Sequence, residues 1–166
     1  MKITGVFGYK RGCASTLIRL GTKLLINQPI EYKYTPSHTA ILIDDTWIIE
    51  STFLTGVHIM PYTKWKESYT ELYQVVIKEP AEHPLDVALE MWGKPYDFLA
   101  LLYFLFKLIF TKLCKTPMPA FNPFESDNKF FCVEVVGRVA GITNYSLMTP
   151  LELFKKLEEE KYGKMD

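Results

Sequence analysis

The sequence predicts an α+β fold, with sheet mostly in the first half of the chain and helices mostly in the second. Up to Ile77, apart from one helical stretch, short apolar, β-branched and aromatic runs are bounded by turn residues. From Leu85 onward the runs lengthen and carry helix start and stop signals. Composition agrees: 166 residues with 48% hydrophobic and 14% aromatic side chains can fill a core without metal or disulfide staples. That length predicts a single domain over 1–166.

The elements follow in order. Ile3 to Tyr9 is a β-type run closed by Lys10, Arg11 and Gly12. Ser15 has the residue type of an N-cap for a helix to about Ile26, with Leu17, Ile18, Leu20, Leu24 and Leu25 as its apolar stripe. Asn27 to Pro36 is turn-rich. Thr39–Ile43 and Trp47–Ile49, split by Asp44-Asp45-Thr46, read as a β-hairpin. Gly56 introduces another strand, Val57 to Met60, closed by Pro61, and Leu72–Ile77 adds one more before Lys78-Glu79-Pro80. His83-Pro84 opens a helix from Leu85 to about Trp92, stopped by Gly93. Asp97 caps a hydrophobic helix from Phe98 to about Leu113, and a Pro-rich loop follows to Asn128, so 98–128 reads as an insertion. Phe130 to Ala140 mixes strand-type Val content with helix cues: Asp127 or Asn128 can cap, Glu134 and Arg138 stand at i,i+4, and Gly141 stops the run. The last helix runs from Pro150 to about Glu160.

Composition also excludes functions. With 19 Lys+Arg against 19 Asp+Glu the chain lacks the cationic excess that nucleic-acid binding needs, so no nucleic-acid partner is expected. No phosphate-binding glycine loop and no His-x-His or H-E-x-x-H spacing is present, so neither a metal nor another cofactor is expected. Cys13, Cys114 and Cys132 include no C-x-x-C pair and make no complete disulfide framework. The N-terminal MKITGVFGYKRG has no apolar run before its glycines, which favours cytoplasmic synthesis and retention and leaves a phage or viral origin open. The greasy stretch Tyr96–Phe110 carries Lys107 and falls short of the roughly 20 apolar residues of a membrane span.

Chemistry concentrates at three positions. His38 opens one strand of the predicted hairpin and Glu50 lies near the end of the next. A loop with an odd number of residues places Glu50 opposite Ala40, on the face of His38 and diagonal to it at ~7–8 Å; an even loop separates the two. Polar strand ends touching solvent are the alternative. Cys132, inside Phe130–Val136, is either an inert core thiol or, if the segment is helical, a thiol in a first turn. There, free N–H groups and the macrodipole favour a thiolate and supply part of an oxyanion hole.

Taken together, SHTAI (Ser37–Ile41), IIES (Ile48–Ser51), GKPYDF (Gly93–Phe98) and FFCVEVV (Phe130–Val136) resemble, in that order, the circularly permuted NlpC-type branch of the papain-like cysteine hydrolases. The resemblance implies a permuted papain-like fold in which Cys132 is the nucleophile, His38 the general base and Glu50 the residue that orients the imidazole. It puts Tyr96 beside the Cys, lining the cleft; packing at the start of the Phe98 helix is the other reading of that residue. Val133, where the family often has Ser, and the long greasy 98–128 segment depart from the pattern. The implied activity is cleavage of amide bonds in peptides or isopeptides, peptidoglycan-derived ones included, through a thioester acyl-enzyme. A lipid acyltransferase or thioesterase with a membrane contact through the 98–113 helix, and a silent binding module, are the alternatives.

Overall fold

In the computed structural model, residues 1–25, 31–113, 123 and 126–162 are described. Five strands form one antiparallel sheet in the order β4-β3-β2-β1-β5: β1 Ile3–Tyr9, β2 His38–Ile43, β3 Trp47–Thr52, β4 Gly56–Pro61 and β5 Thr70–Val76. The helices among the described residues are α1 Cys13–Leu25, α2 Tyr62–Ser68, α3 Pro84–Met91, α4 Phe98–Leu113, α5 Cys132–Val139 and α6 Pro150–Tyr162. The α+β expectation holds, and each strand read from the sequence is present.

The β2–β3 turn is Asp44-Asp45-Thr46, an odd loop, with Asp44 and Asp45 at positive φ (46° and 56°). Asp tolerates the left-handed region better than most residues. The turn fixes Ile43 against Trp47, Leu42 against Ile48 and Ile41 against Ile49. Continued by one pair, this register sets Glu50 opposite Ala40, on the face that carries His38.

The two faces of the sheet carry separate clusters. Phe7, Ile41, Ile49 and Val75 share one cluster with α5, whose Val133, Val135, Val136 and Val139 are all buried, and Phe7 meets Phe154 of α6. On the opposite face Val6, Ala40, Leu42 and Ile48 pack around Trp65 of α2. This burial explains why the Phe130–Ala140 run forms a helix over Cys132–Val139 despite its valines: tertiary packing around nearly the whole helix, with Arg138 left at its edge, outweighs a weak intrinsic preference. Its stop is the one foreseen. Gly141, at φ 67°, donates to Arg138 O at 3.1 Å while Ile142 N donates to Gly137 O at 2.9 Å, closing a Schellman turn.

Several local expectations need correction. α1 begins at Cys13, so Ser15 is not its N-cap; its hydroxyl is 2.6 Å from that of Ser37. Nor is the first part of the α1 stripe its buried face. Leu17 and Leu20 are 65% and 45% exposed, whereas Arg19 and Thr22 are buried. Arg19 earns that place by donating from Nε to Thr35 O at 2.9 Å and lying over the Tyr9 ring at 4.0 Å. α5 is capped by neither Asp127 nor Asn128. Its N-cap is Phe131, whose N–H donates to Glu134 Oε2 at 2.9 Å. Pro61 closes β4, but it is also the N-cap of α2, a helix absent from the sequence reading. Asp97 does cap α4, accepting from Ala100 N at 2.8 Å. Most of the Pro-rich 115–128 loop, and Cys114, lie outside the described residues.

Candidate active site

β2 and β3 bring His38 and Glu50 together: His38 Nε2 donates to Glu50 Oε2 at 2.5 Å. Glu50 is 1% exposed, and an ionised carboxylate there requires donors. α2 supplies another, since Trp65 Nε1 donates to the same Oε2 at 3.0 Å. The rings stack in series, Trp65 on Tyr69 with centroids 4.8 Å apart and Tyr69 on His38 at 4.7 Å. The imidazole is thus fixed in plane by a hydrogen bond and in tilt by an aromatic wall.

Cys132 approaches from the other side, in the first turn of α5. Ser51, the neighbour of Glu50 that points to the opposite face, docks that turn by donating from Oγ to Phe130 O at 2.5 Å. Phe130 also donates to Pro95 O at 3.1 Å and accepts from Asp97 N at 3.3 Å, which seats Tyr96 beside the start of α5. The Cys132 side chain lines the same cleft as His38 and acts on its ring. Because Nε2 is held by Glu50, Nδ1 is the ring nitrogen left to face the thiol. Glu134 N and Val135 N donate to Phe131 O, and among the described residues no acceptor takes the N–H groups of Cys132 and Val133. These are the free donors of a helix start.

The electrostatics follow from this packing. Burial pulls His38 down, but the hydrogen bonds to Cys132 and Glu50 outweigh it and hold the imidazole up at about 10. Burial likewise pushes Glu50 up, and the His38 hydrogen bond and charge outweigh it, bringing the carboxyl to about 2. Carboxylate and imidazolium therefore coexist at neutral pH. Burial first, then the charge of Cys132, pushes the Tyr96 hydroxyl above the usual phenol range.

His38, Glu50, Tyr96 and Cys132 line one cleft of about 480 Å³. All four site residues read from the sequence thus meet in one place. Cys13 is exposed on the lip of the same cleft. Sequence reasoning missed Ser51, Trp65 and Tyr69, and also His58, which stands directly across β4 from Glu50. The three-residue turn Phe53-Leu54-Thr55 held the signal for His58, because it sets Glu50 against His58 just as the β2–β3 turn sets Glu50 against Ala40. No family model, curated protein or solved structure matches the chain. Among the described residues no cluster of His, Cys, Asp and Glu is arranged to hold a metal ion, and no helix is long and apolar enough to cross a membrane.

Proposed function

We propose that the protein is a cysteine hydrolase of permuted papain-like, NlpC-type architecture that cleaves amide bonds of peptides or isopeptides. The observation that carries the reading is the position of His38, held between a buried carboxylate and a thiol in a helix first turn. The chain order supports it, with the His-bearing sheet before the Cys-bearing helix. The Cys132 sulfur, as the thiolate whose proton the His38 imidazolium holds, attacks the scissile carbonyl carbon, forming a C–S bond, and the carbonyl oxygen takes up the negative charge beside the N–H groups of Cys132 and Val133. His38, already an imidazolium, gives its proton to the departing amine as the C–N bond breaks. The neutral ring then takes a proton from water, which attacks the thioester and releases the acid. Glu50 keeps the ring angle and its charge through both steps.

Intact-mass spectrometry after incubation with a panel of peptidoglycan peptides and isopeptides tests the reading. An acyl adduct on Cys132 that is absent in Cys132→Ala supports it; no adduct, with Cys132 alkylated by iodoacetamide no faster than Cys13, refutes it.

A second reading keeps the triad and takes a lipid ester as acyl donor. Phe53 and Leu54 line the cleft and are 65% and 90% exposed. Phe53 meets the Phe98 ring edge-on at 5.5 Å, and Leu99, Leu102 and Phe106 of α4 are half exposed beyond it. Such an apolar margin suits an acyl chain or a bilayer surface. Co-sedimentation with liposomes that is lost in Leu102→Glu/Phe106→Glu, with the fold intact, favours it; no co-sedimentation of the wild type discards it.

A further inference from the structure

His58 belongs to no part of the mechanism above, yet it touches its centre. The β3–β4 register pairs it with Glu50, and its Nε2 lies 3.3 Å from Glu50 Oε1, the oxygen that His38 and Trp65 leave free. Its Nδ1 is 3.1 Å from Gly56 O and 2.9 Å from Thr55 Oγ1. The carbonyl and the carboxylate oxygen only accept, whereas the Thr55 hydroxyl can accept from a protonated Nδ1 or donate to a bare one. A neutral imidazole donates from one ring nitrogen; an imidazolium donates from both. The Glu50 carboxylate can thus hold two imidazoliums, one on each oxygen, and the Thr55 hydroxyl lets His58 stay in place when it gives up its proton.

The charge count gives this a consequence. The His38 imidazolium and Glu50 cancel, so a thiolate on Cys132 leaves the cluster at a net negative charge in a part-buried site, where an uncompensated charge is costly. A second imidazolium at His58 restores neutrality. We propose that His58 is a positioning residue for the proposed reaction: its protonated ring, acting through Glu50, supports the ionised Cys132–His38 pair, and Cys132 loses reactivity when His58 gives up its proton.

The groups around His58 leave it free to act this way. From β3 it meets Glu50, which stays ionised down to about 2, and from β2 His38, which keeps its proton up to about 10. Tyr69 and Tyr96, lining the same cleft, are both pushed above the usual phenol range, chiefly by burial, and stay neutral. Lys10 and Arg11 add positive charge at the lip, with no ion pair among the described residues. His58 itself is raised from the ordinary histidine value, first by its hydrogen bond to Glu50, against the opposing effects of burial and the His38 charge. It therefore holds its proton to a higher pH than an ordinary histidine does.

This inference rests on Cys132 being the nucleophile. The test is the rate of iodoacetamide alkylation at Cys132, read peptide by peptide from about pH 5.5 to about pH 9. Wild-type protein is expected to lose roughly three- to tenfold in rate as pH rises through the His58 titration, opposite to the rise of an ordinary thiol. His58→Gln, which can still donate to Glu50 but carries no charge, is expected to start low near pH 6 by the same factor and to lack the descending limb. His58→Lys, a permanent cation over this range, is expected to keep the wild-type rate near pH 6. Coincident wild-type and His58→Gln profiles, or a His58→Gln profile lowered equally at every pH, overturn the inference while leaving Cys132 as nucleophile. Slow wild-type labelling of Cys132 at all pH, no faster than Cys13, removes the nucleophile and the inference together.

Discussion

Replacing Glu50 by Gln keeps the shape of the side chain and removes its charge, which isolates what the carboxylate does. In the wild type both oxygens only accept, and three donors converge on them: His38 and Trp65 on Oε2 and His58 on Oε1. A Gln amide offers one acceptor oxygen and one NH2, so in either flip a donor faces a donor, and the His38 imidazolium loses its countercharge. Breaking a buried pair from one side costs about 3–5 kcal/mol, and the flip that keeps the two hydrogen bonds on Oε2 places this variant at about 3 kcal/mol. For a chain of this size that is a fall in Tm of roughly 6–12 °C. The loss has a pH signature. Glu50 is depressed to about 2, so its contribution is present above the unfolded value near 4.5 and disappears as pH falls toward 2. His38 is raised to about 10, so its contribution is complete below the unfolded value near 6.5 and disappears as pH rises through 10. The Tm difference between wild type and Glu50→Gln is therefore largest at about pH 5–6.5 and narrows toward both extremes. Differential scanning calorimetry at about pH 3, 6 and 10 measures it. A difference that is the same at all three, or below about 1 kcal/mol at pH 6, refutes the assignment of Glu50 as a charged, shared acceptor.

Two further substitutions probe the frame around the triad. Trp65→Phe retains the stack on Tyr69 but removes the Nε1–H donated to Glu50, and is expected to cost about 1.5–3 kcal/mol in urea unfolding and to slow alkylation of Cys132. Unchanged stability would show that this hydrogen bond carries nothing. Gly137→Ala places a Cβ 2.3 Å from Tyr145 Cβ, so α5 and the Tyr145 turn must part by about 1.1 Å to reach ordinary contact. Overpacking of this kind costs about 1–3 kcal/mol, and because α5 carries Cys132, a Tm loss is expected together with slower alkylation; wild-type values for both refute tight packing at Gly137.

The sheet was legible because its signals are local. Each strand is a short apolar run bounded by residues that favour turns, and the odd Asp44-Asp45-Thr46 loop settles which face Glu50 takes. What misled was burial that depends on distant partners. α1 looks like a leucine-striped helix, yet it turns Arg19 and Thr22 inward because Thr35 O and the Tyr9 ring receive the guanidinium. α5 looks part strand until the sheet it packs on is known. α2 is only seven residues long and cannot be stable alone, so nothing periodic announces it; it exists because Trp65 fills the second face of the sheet.

The site divides the same way, and the division bears on how it works. Cys132, His38, Glu50 and Tyr96 could be named from the sequence, because each stands in a short stretch that resembles a family pattern. The residues that hold them could not, since Ser51, Trp65 and His58 reach Glu50 or the start of α5 only through the register of β3 and the packing of α2. Those supporting residues fix where the charged groups sit. A His–Glu pair in a bare hairpin would titrate near ordinary histidine and carboxylate values, and an exposed pair is worth at most about 1 kcal/mol. Glu50 instead sits 1% exposed under three donors, and Cys132 and Glu50 together, against burial, hold His38 as an imidazolium up to about pH 10. In the proposed reaction the protonated ring would serve first as the acid for a leaving amine rather than as the base for a thiol, so weakening any one of Trp65, His58 or Ser51 is expected to act on the rate through His38 and α5 without touching the substrate.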